Sequence, residues 1–157
     1  MQRPFPSPKT RRGFTLVELA VVIVIIGVLA AFGVPKFLQS VEKSKATEAF
    51  NYWSAVQSAE ERYIAQNGVY WDTSVSAPLP TTLDIVLPTL QYFSLTSITA
   101  SNATAGSPTW AGVLTRNTGS SSYGAYTVGW SQDGFSAANS TIPQAISPVT
   151  GDLGSGS

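Results

Sequence analysis

One long uncharged run limits what this chain can become. From Leu19 to Pro35, "LAVVIVIIGVLAAFGVP", no residue carries a charge. As helix that stretch measures about 25 Å, the short end of a bilayer crossing, and counting from Phe14 makes it long enough to span. The extended version contains a single charge, Glu18. Arg3, Lys9, Arg11 and Arg12 precede Phe14 with no acid among them, and Pro4, Pro6 and Pro8 oppose helix there. This basic leader keeps the N-terminus in the cytoplasm under the positive-inside rule. Lys36, Lys43 and Lys45 on the far side are partly offset by Glu42 and Glu48, so the asymmetry is moderate. A buried core helix is the alternative, but the polar remainder of a 157-residue chain is too small to surround one this long.

The helix is expected to continue beyond Pro35. Leu38, Val41, Ala46, Ala49, Phe50, Trp53, Val56 and Tyr63 recur at three- and four-residue steps, an apolar stripe. The opposite face is read as carrying Glu42, Lys43, Lys45, Glu48, Glu60 and Glu61, with Lys45 three residues from both Glu42 and Glu48. Asn67-Gly68 supplies the stop, because glycine takes the left-handed conformation that ends helices. Phe14 to Gln66 would then form about 80 Å of helix, apolar all round in its first half and amphipathic in its second. The second half needs a partner for its apolar face.

From Gly68 onward the composition shifts to Ser, Thr, Gly, Pro and aromatics. "TWAGVLTR" at 109–116 reads as a strand. In "AYTVGWSQDGF" Tyr126, Val128 and Trp130 alternate with Thr127, Gly129 and Ser131, the period of a half-buried strand. "NTGSSSYG" between them is turn material, and Gln132-Asp133-Gly134 reads as a further turn leading to Phe135. Residues 72–108, with several prolines and the apolar stretch Leu83 to Leu90, read as a connecting loop with a short helix or strand. The expected class is α+β: a long N-terminal helix packed on a small C-terminal antiparallel sheet. The chain divides into a leader (1–13), an apolar helix half (14–35), an amphipathic half (36–67) and a loop-and-sheet head (68–157).

Several function classes lose support here. Basic and acidic residues balance at nine each, without a basic patch to favour nucleic acid. With no cysteine and no histidine, neither a disulfide scaffold nor a zinc site is expected. No close carboxylate pair or phosphate loop accompanies that lack, so neither an enzyme nor a cofactor is expected. Asp72, Asp84, Asp133 and Asp152 are too scattered for a calcium loop and read as solvated turn residues. The sequons at Asn102 and Asn139 are expected by chance in a Ser/Thr-rich region, and Trp53, Trp71, Trp110 and Trp130 read as packing residues.

"RRGFTLVELAVVIVIIGVLAAFGVPKF", residues 11–37, closely resembles the N-terminal signature of type IV pilins and type II secretion pseudopilins. The resemblance implies that a prepilin peptidase cuts between Gly13 and Phe14 and methylates the Phe14 amine. It implies that Glu18, at the fifth mature position, serves filament assembly together with Phe14. Gly27 and Pro35 fall where pilin helices are weakened, and Gly33 adds to that weakening. The implied partners are copies of the chain in a helical filament, the peptidase, the assembly machinery, and the membrane before assembly. The implied location is a bacterial inner membrane and then the cell surface, or the periplasm for a pseudopilin. Many major pilins close the C-terminal region with a disulfide, which this chain cannot do. A carboxylate in lipid costs roughly 2.5–3.5 kcal/mol, so Glu18 reads as functional; the bland alternative is a headgroup-level residue favoured near a helix start. Two other readings remain. One is a signal peptide cut near "VLAAFG" that leaves Ala31 first, and the other is an uncut single-span protein with a binding head.

Overall fold

A computed structural model describes residues 13–72, 83–102, 107–118 and 123–149. Leader residues 1–12, the Ala103-Thr104 half of one sequon and Asp152 lie outside the described residues. Helix α1 covers Leu16–Asn67 and includes Pro35. Four strands follow: β1 Phe93–Ser101, β2 Thr109–Arg116, β3 Thr127–Ser131 and β4 Gly134–Ser136. The chain forms two compact units, Met1–Phe37 and Leu38–Ser157.

In the first unit the described apolar side chains stand exposed, from Val22 at 46% to Phe14 and Leu16 at 86%. A helix that leaves Val, Ile and Leu uncovered on every side has no core of its own to join. Its composition matches lipid or other helices.

In the second unit the four strands form an antiparallel meander in the order β1-β2-β3-β4. Leu114 pairs with Leu95 on one side and Val128 on the other, and a bulge between Leu95 and Ser97 bends the edge strand. Along β2 the period of two is clean: Trp110, Gly112, Leu114 and Arg116 are buried, and the residues between them are not. Their buried face meets a line of α1 residues at alternating four- and three-residue steps: Glu42, Ala46, Ala49, Trp53, Val56 and Glu60. Trp53 sits at the centre, fully buried, its Nε1 donating to the Val128 carbonyl at 3.0 Å. Its ring occupies the space where residue 112 would place a Cβ, so the sheet needs glycine there.

The stripe therefore differs from the expected one at both ends. Glu42 (3% exposed) and Glu60 (0%) belong to the buried line, whereas spacing from the aliphatic residues assigned them to solvent. Leu38, expected inside, is exposed, and Val41 is half-buried. Polar partners explain the inversion at Glu42. Arg116 Nε donates to its Oε1 at 2.8 Å and the Tyr126 hydroxyl donates at 3.1 Å, while Lys45 Nζ lies 3.5 Å from Oε2. Arg116 also donates through Nη1 to the carbonyls of Tyr92 and Asn117, at 3.1 and 2.7 Å. Burial works to raise the Glu42 pKa, but the bond and charge of Arg116 and the Tyr126 hydroxyl outweigh it and hold the group below its ordinary value. Burial and the adjacent Glu42 push the Tyr126 phenol up.

Glu48 is half-buried and its carboxylate accepts the N–H groups of Gln91 and Tyr92, at 2.7 and 3.0 Å, just before β1 begins. The expected strand or short helix within 72–108 is thus β1 itself, at Phe93–Ser101; Leu83–Leu90 forms neither. Gly68, at φ +74°, donates to the Ile64 carbonyl at 2.8 Å and ends α1 where Asn67-Gly68 predicts. The Gln132-Asp133 turn between β3 and β4 and the inward placement of Tyr126 and Val128 also agree with the sequence pattern.

Candidate functional site

Thr15 precedes the first helical residue and supplies the helix's N-cap. Its carbonyl accepts the Leu19 N–H at 3.3 Å, and its Oγ1 accepts the Glu18 N–H at 3.2 Å. Glu18 returns the bond: its Oε2 accepts the Thr15 N–H at 2.8 Å and the Thr15 hydroxyl at 2.9 Å. This is a capping box, in which a hydroxyl residue and a glutamate three positions later satisfy each other's backbone N–H groups. A helix start leaves four N–H groups without intrahelical partners, and in an apolar medium each is costly. The Glu18 charge also lies at the positive end of the helix dipole. The carboxylate is therefore the partner of Thr15 and of the helix end. The sequence reading found Glu18 but not Thr15, although T-x-x-E before an apolar run is the signal for this box.

The other expected site residues do not cluster with this pair. Phe14, immediately before Thr15, is 86% exposed. A Cβ at Gly13, Gly27 or Gly33 would meet nothing within 4 Å, so packing inside the chain does not require glycine at any of them. Helix α1 continues across Pro35, although proline has no N–H to bond the carbonyl four residues back. Among the described residues no group of three or more His, Cys, Asp or Glu is placed to hold a metal ion. One described helix, α1, is long and apolar enough to cross a membrane.

Residues 8–34 match the family described as the prokaryotic N-terminal methylation motif. The match spans the Gly13–Phe14 junction, the capping box and most of the exposed apolar helix. In its N-terminal region the chain is similar to type IV pilins and type II secretion pseudopilins. Similarity to individual members is likewise partial. It is 36% identical over 76 residues to the fimbrial protein EcpC of Eikenella corrodens, covering 48% of this chain and 50% of that one. It is 39% identical over 61 residues to the type IV major pilin protein PilA of Myxococcus xanthus, 39% and 28% of the two chains. Against the type II secretion system core protein G of Vibrio cholerae it is 40% identical over 62 residues, 40% and 42%. The chain spans about half or less of the length of these pilin-family relatives. No solved structure matches it significantly. The α+β order, a long helix followed by an antiparallel sheet, is pilin-like.

Proposed function

We propose that the chain is the structural subunit of an extracellular type IV pilus-like filament, cut between Gly13 and Phe14, methylated at Phe14 and polymerised through residues 14–35. The observation that carries this reading is the methylation motif lying on a helix whose apolar side chains are uncovered. Such a helix leaves lipid only for surroundings equally apolar, and the helices of neighbouring copies provide them. Cleavage creates a positive amine on Phe14, about one helical turn from Glu18. Inside one subunit Thr15 already satisfies Glu18 Oε2. In the filament the Phe14 amine of an adjoining copy provides the counter-charge, so each junction pairs one amine with one carboxylate. Gly27, Gly33 and Pro35 weaken the helix where packed copies need it to stretch. Density of an assembled filament with unbroken α-helix through that stretch would remove this part.

The subunit carries no catalytic role in this reading. Its partners are copies of itself, the prepilin peptidase and the assembly machinery, and it waits in the inner membrane. The similarity to a type II secretion core protein supports a second reading, a periplasmic pseudopilin. Purified surface filaments built from this chain would decide for the pilin.

Intact mass of the exported protein tests the proposal. The expected product begins at methylated Phe14, and Gly13→Val leaves the full-length chain in the membrane. A product beginning at Ala31, or normal processing of Gly13→Val, would overturn it. Glu18→Ala is expected to be cleaved normally but to enter filaments poorly, because removing one partner of a buried pair costs about 3–5 kcal/mol.

A further inference from the structure

We propose that Glu60 is a proton-operated latch: uncharged in the folded second unit, it holds the segment that follows the helix, and its ionisation releases Trp71 from the helix end. Glu60 is 0% exposed. Its Oε2 accepts the Trp71 backbone N–H at 3.0 Å, while Oε1 is buried without a hydrogen-bond partner. The indole Nε1 groups of Trp71 and Trp110 are buried and unpartnered as well. A carboxylate left in such a place lacks both a counter-charge and half of its hydrogen bonds, which is far costlier than burying the neutral acid. The neutral acid avoids the charge: Oε2 remains the acceptor for Trp71, and the proton on Oε1 leaves one unpaired neutral hydroxyl, a smaller cost than an unpaired carboxylate.

The surroundings reinforce the neutral form. On α1 itself the neighbours are Glu61 and the exposed Arg62, whose guanidinium donates back to the Ser58 carbonyl at 3.0 Å. The segment after the helix brings Tyr70 and Asp72, and the β3–β4 turn brings Asp133, whose charge is felt at Tyr70. Strand β1 has no charged residue, and the only one on β2, Arg116, is committed to Glu42. The charge that acts on Glu60 is that of Asp72, another acid, and the Tyr70 phenol feels the Glu60 charge in turn. Burial is the main cause that raises it, the Trp71 N–H works the other way, and Asp72 adds to the rise, bringing it to about 7.

What the latch holds is well defined. Residues 68–72 leave the helix and cross to the far end of β1, where the Asn102 side chain grips Tyr70 from both sides. Its Oδ1 accepts the Tyr70 N–H and its Nδ2 donates to the Tyr70 carbonyl, each at 2.9 Å. Trp71, 3% exposed, is the apolar anchor of this crossing, and Glu60 is the bond beneath it. Ionisation places an unpaired charge beneath Trp71, and hydrating that charge opens the crossing.

The sign of the pH effect follows from the raised value. Below the ordinary 4.5 the group is protonated in both folded and unfolded chains, and the latch's contribution is complete. Between 4.5 and about 7 only the folded chain holds the proton, so stability declines with rising pH and levels off above it. Across the whole window the folding constant drops roughly 300-fold. Glu42 is shifted down, and Tyr52, Tyr70 and Tyr126 are shifted up, so none of them moves into this window.

The test is guanidinium unfolding of the full-length chain in detergent micelles from pH 5 to 8.5, followed by tryptophan fluorescence, for wild type and Glu60→Gln. The wild type is expected to weaken across the series by roughly 70-fold, with Glu60→Gln nearly flat. Equal slopes in the two proteins would overturn the latch. Should Glu60→Gln fail to fold, difference infrared spectroscopy of the wild type decides. A protonated-carboxyl band that persists at pH 6 and vanishes by pH 8 supports the latch, and complete ionisation of all carboxyls at pH 6 overturns it.

Discussion

Replacing Gly112 with alanine adds one methyl group at the most tightly closed point of the second unit. A Cβ there overlaps Trp53 Cη2 and falls 2.6 Å from Cζ3 and 3.1 Å from Cζ2. Ordinary carbon contacts are about 3.5–4.0 Å, so the ring must retreat by roughly 1.5–2 Å or the strand must move by as much. Neither is free to do so. Trp53 is fully buried, rests against Tyr52 and Trp110 with ring centroids 5.8 and 6.1 Å away, and is tethered through Nε1 to Val128. Gly112 is paired on both sides, with Ile98 and Trp130. Overpacking of this kind costs about 1–3 kcal/mol. Stretching the Trp53 hydrogen bond until its buried donor is unsatisfied adds about 1–3 kcal/mol. The expected loss is therefore about 2–6 kcal/mol, a large share of what a domain of this size has. Chemical unfolding of the full chain in micelles measures it. Because the cost lies in one contact, the double variant Gly112→Ala/Trp53→Leu should be far more stable than the sum of the two single losses predicts. An additive cycle, or a loss below about 0.5 kcal/mol for Gly112→Ala alone, would refute the assignment of the clash to Trp53.

Arg116→Met should cost about 3–5 kcal/mol by leaving buried Glu42 with only the Tyr126 hydroxyl and the longer Lys45 contact, and Glu42→Leu in the same chain should recover most of it, as seen in unfolding midpoints. Glu42 is held below its ordinary 4.5, so its contribution is present above that pH and lost as pH falls through the depressed value. Glu42→Gln should accordingly flatten the acid limb of stability, the opposite limb from Glu60. Thr15→Val should remove the N-cap at about 0.5–2 kcal/mol and speed amide exchange at Glu18, while Thr15→Ser leaves exchange near wild type.

Much of this architecture is legible along the sequence because period and punctuation agree. β2 begins and ends at Thr109 and Arg116 because alternation and flanking turn residues coincide there, and Asn67-Gly68 ends α1 because glycine tolerates φ +74°. Legibility fails where polar residues are buried. Glu42 and Glu60 sit at helical spacing with Ala46, Ala49, Trp53 and Val56, yet their charge argues for solvent. Glu42's hydrogen-bond partners, Arg116 and Tyr126, lie 74 and 84 residues away. β1 is hidden differently: "SLTSITAS" offers few apolar residues, because an edge strand covers the core with one face and has a bulge in its pattern. At the helix start, Glu18 stands out by its charge, and Thr15 only by its spacing three residues before that glutamate, although the two form one unit.

The order of elements along the chain also sets a schedule. Trp53 and the carbonyl that receives its indole N–H, on Val128, are 75 residues apart. At roughly 5–20 residues per second, a ribosome needs on the order of 4 to 15 seconds to add that length. For that interval Phe50, Trp53 and Val56 exist on a finished helix with no sheet to cover them. In the membrane-anchored subunit proposed above, an amphipathic helix of this kind has the lipid interface as a surface to bind. On that proposal the bilayer serves this face first, and the sheet replaces it.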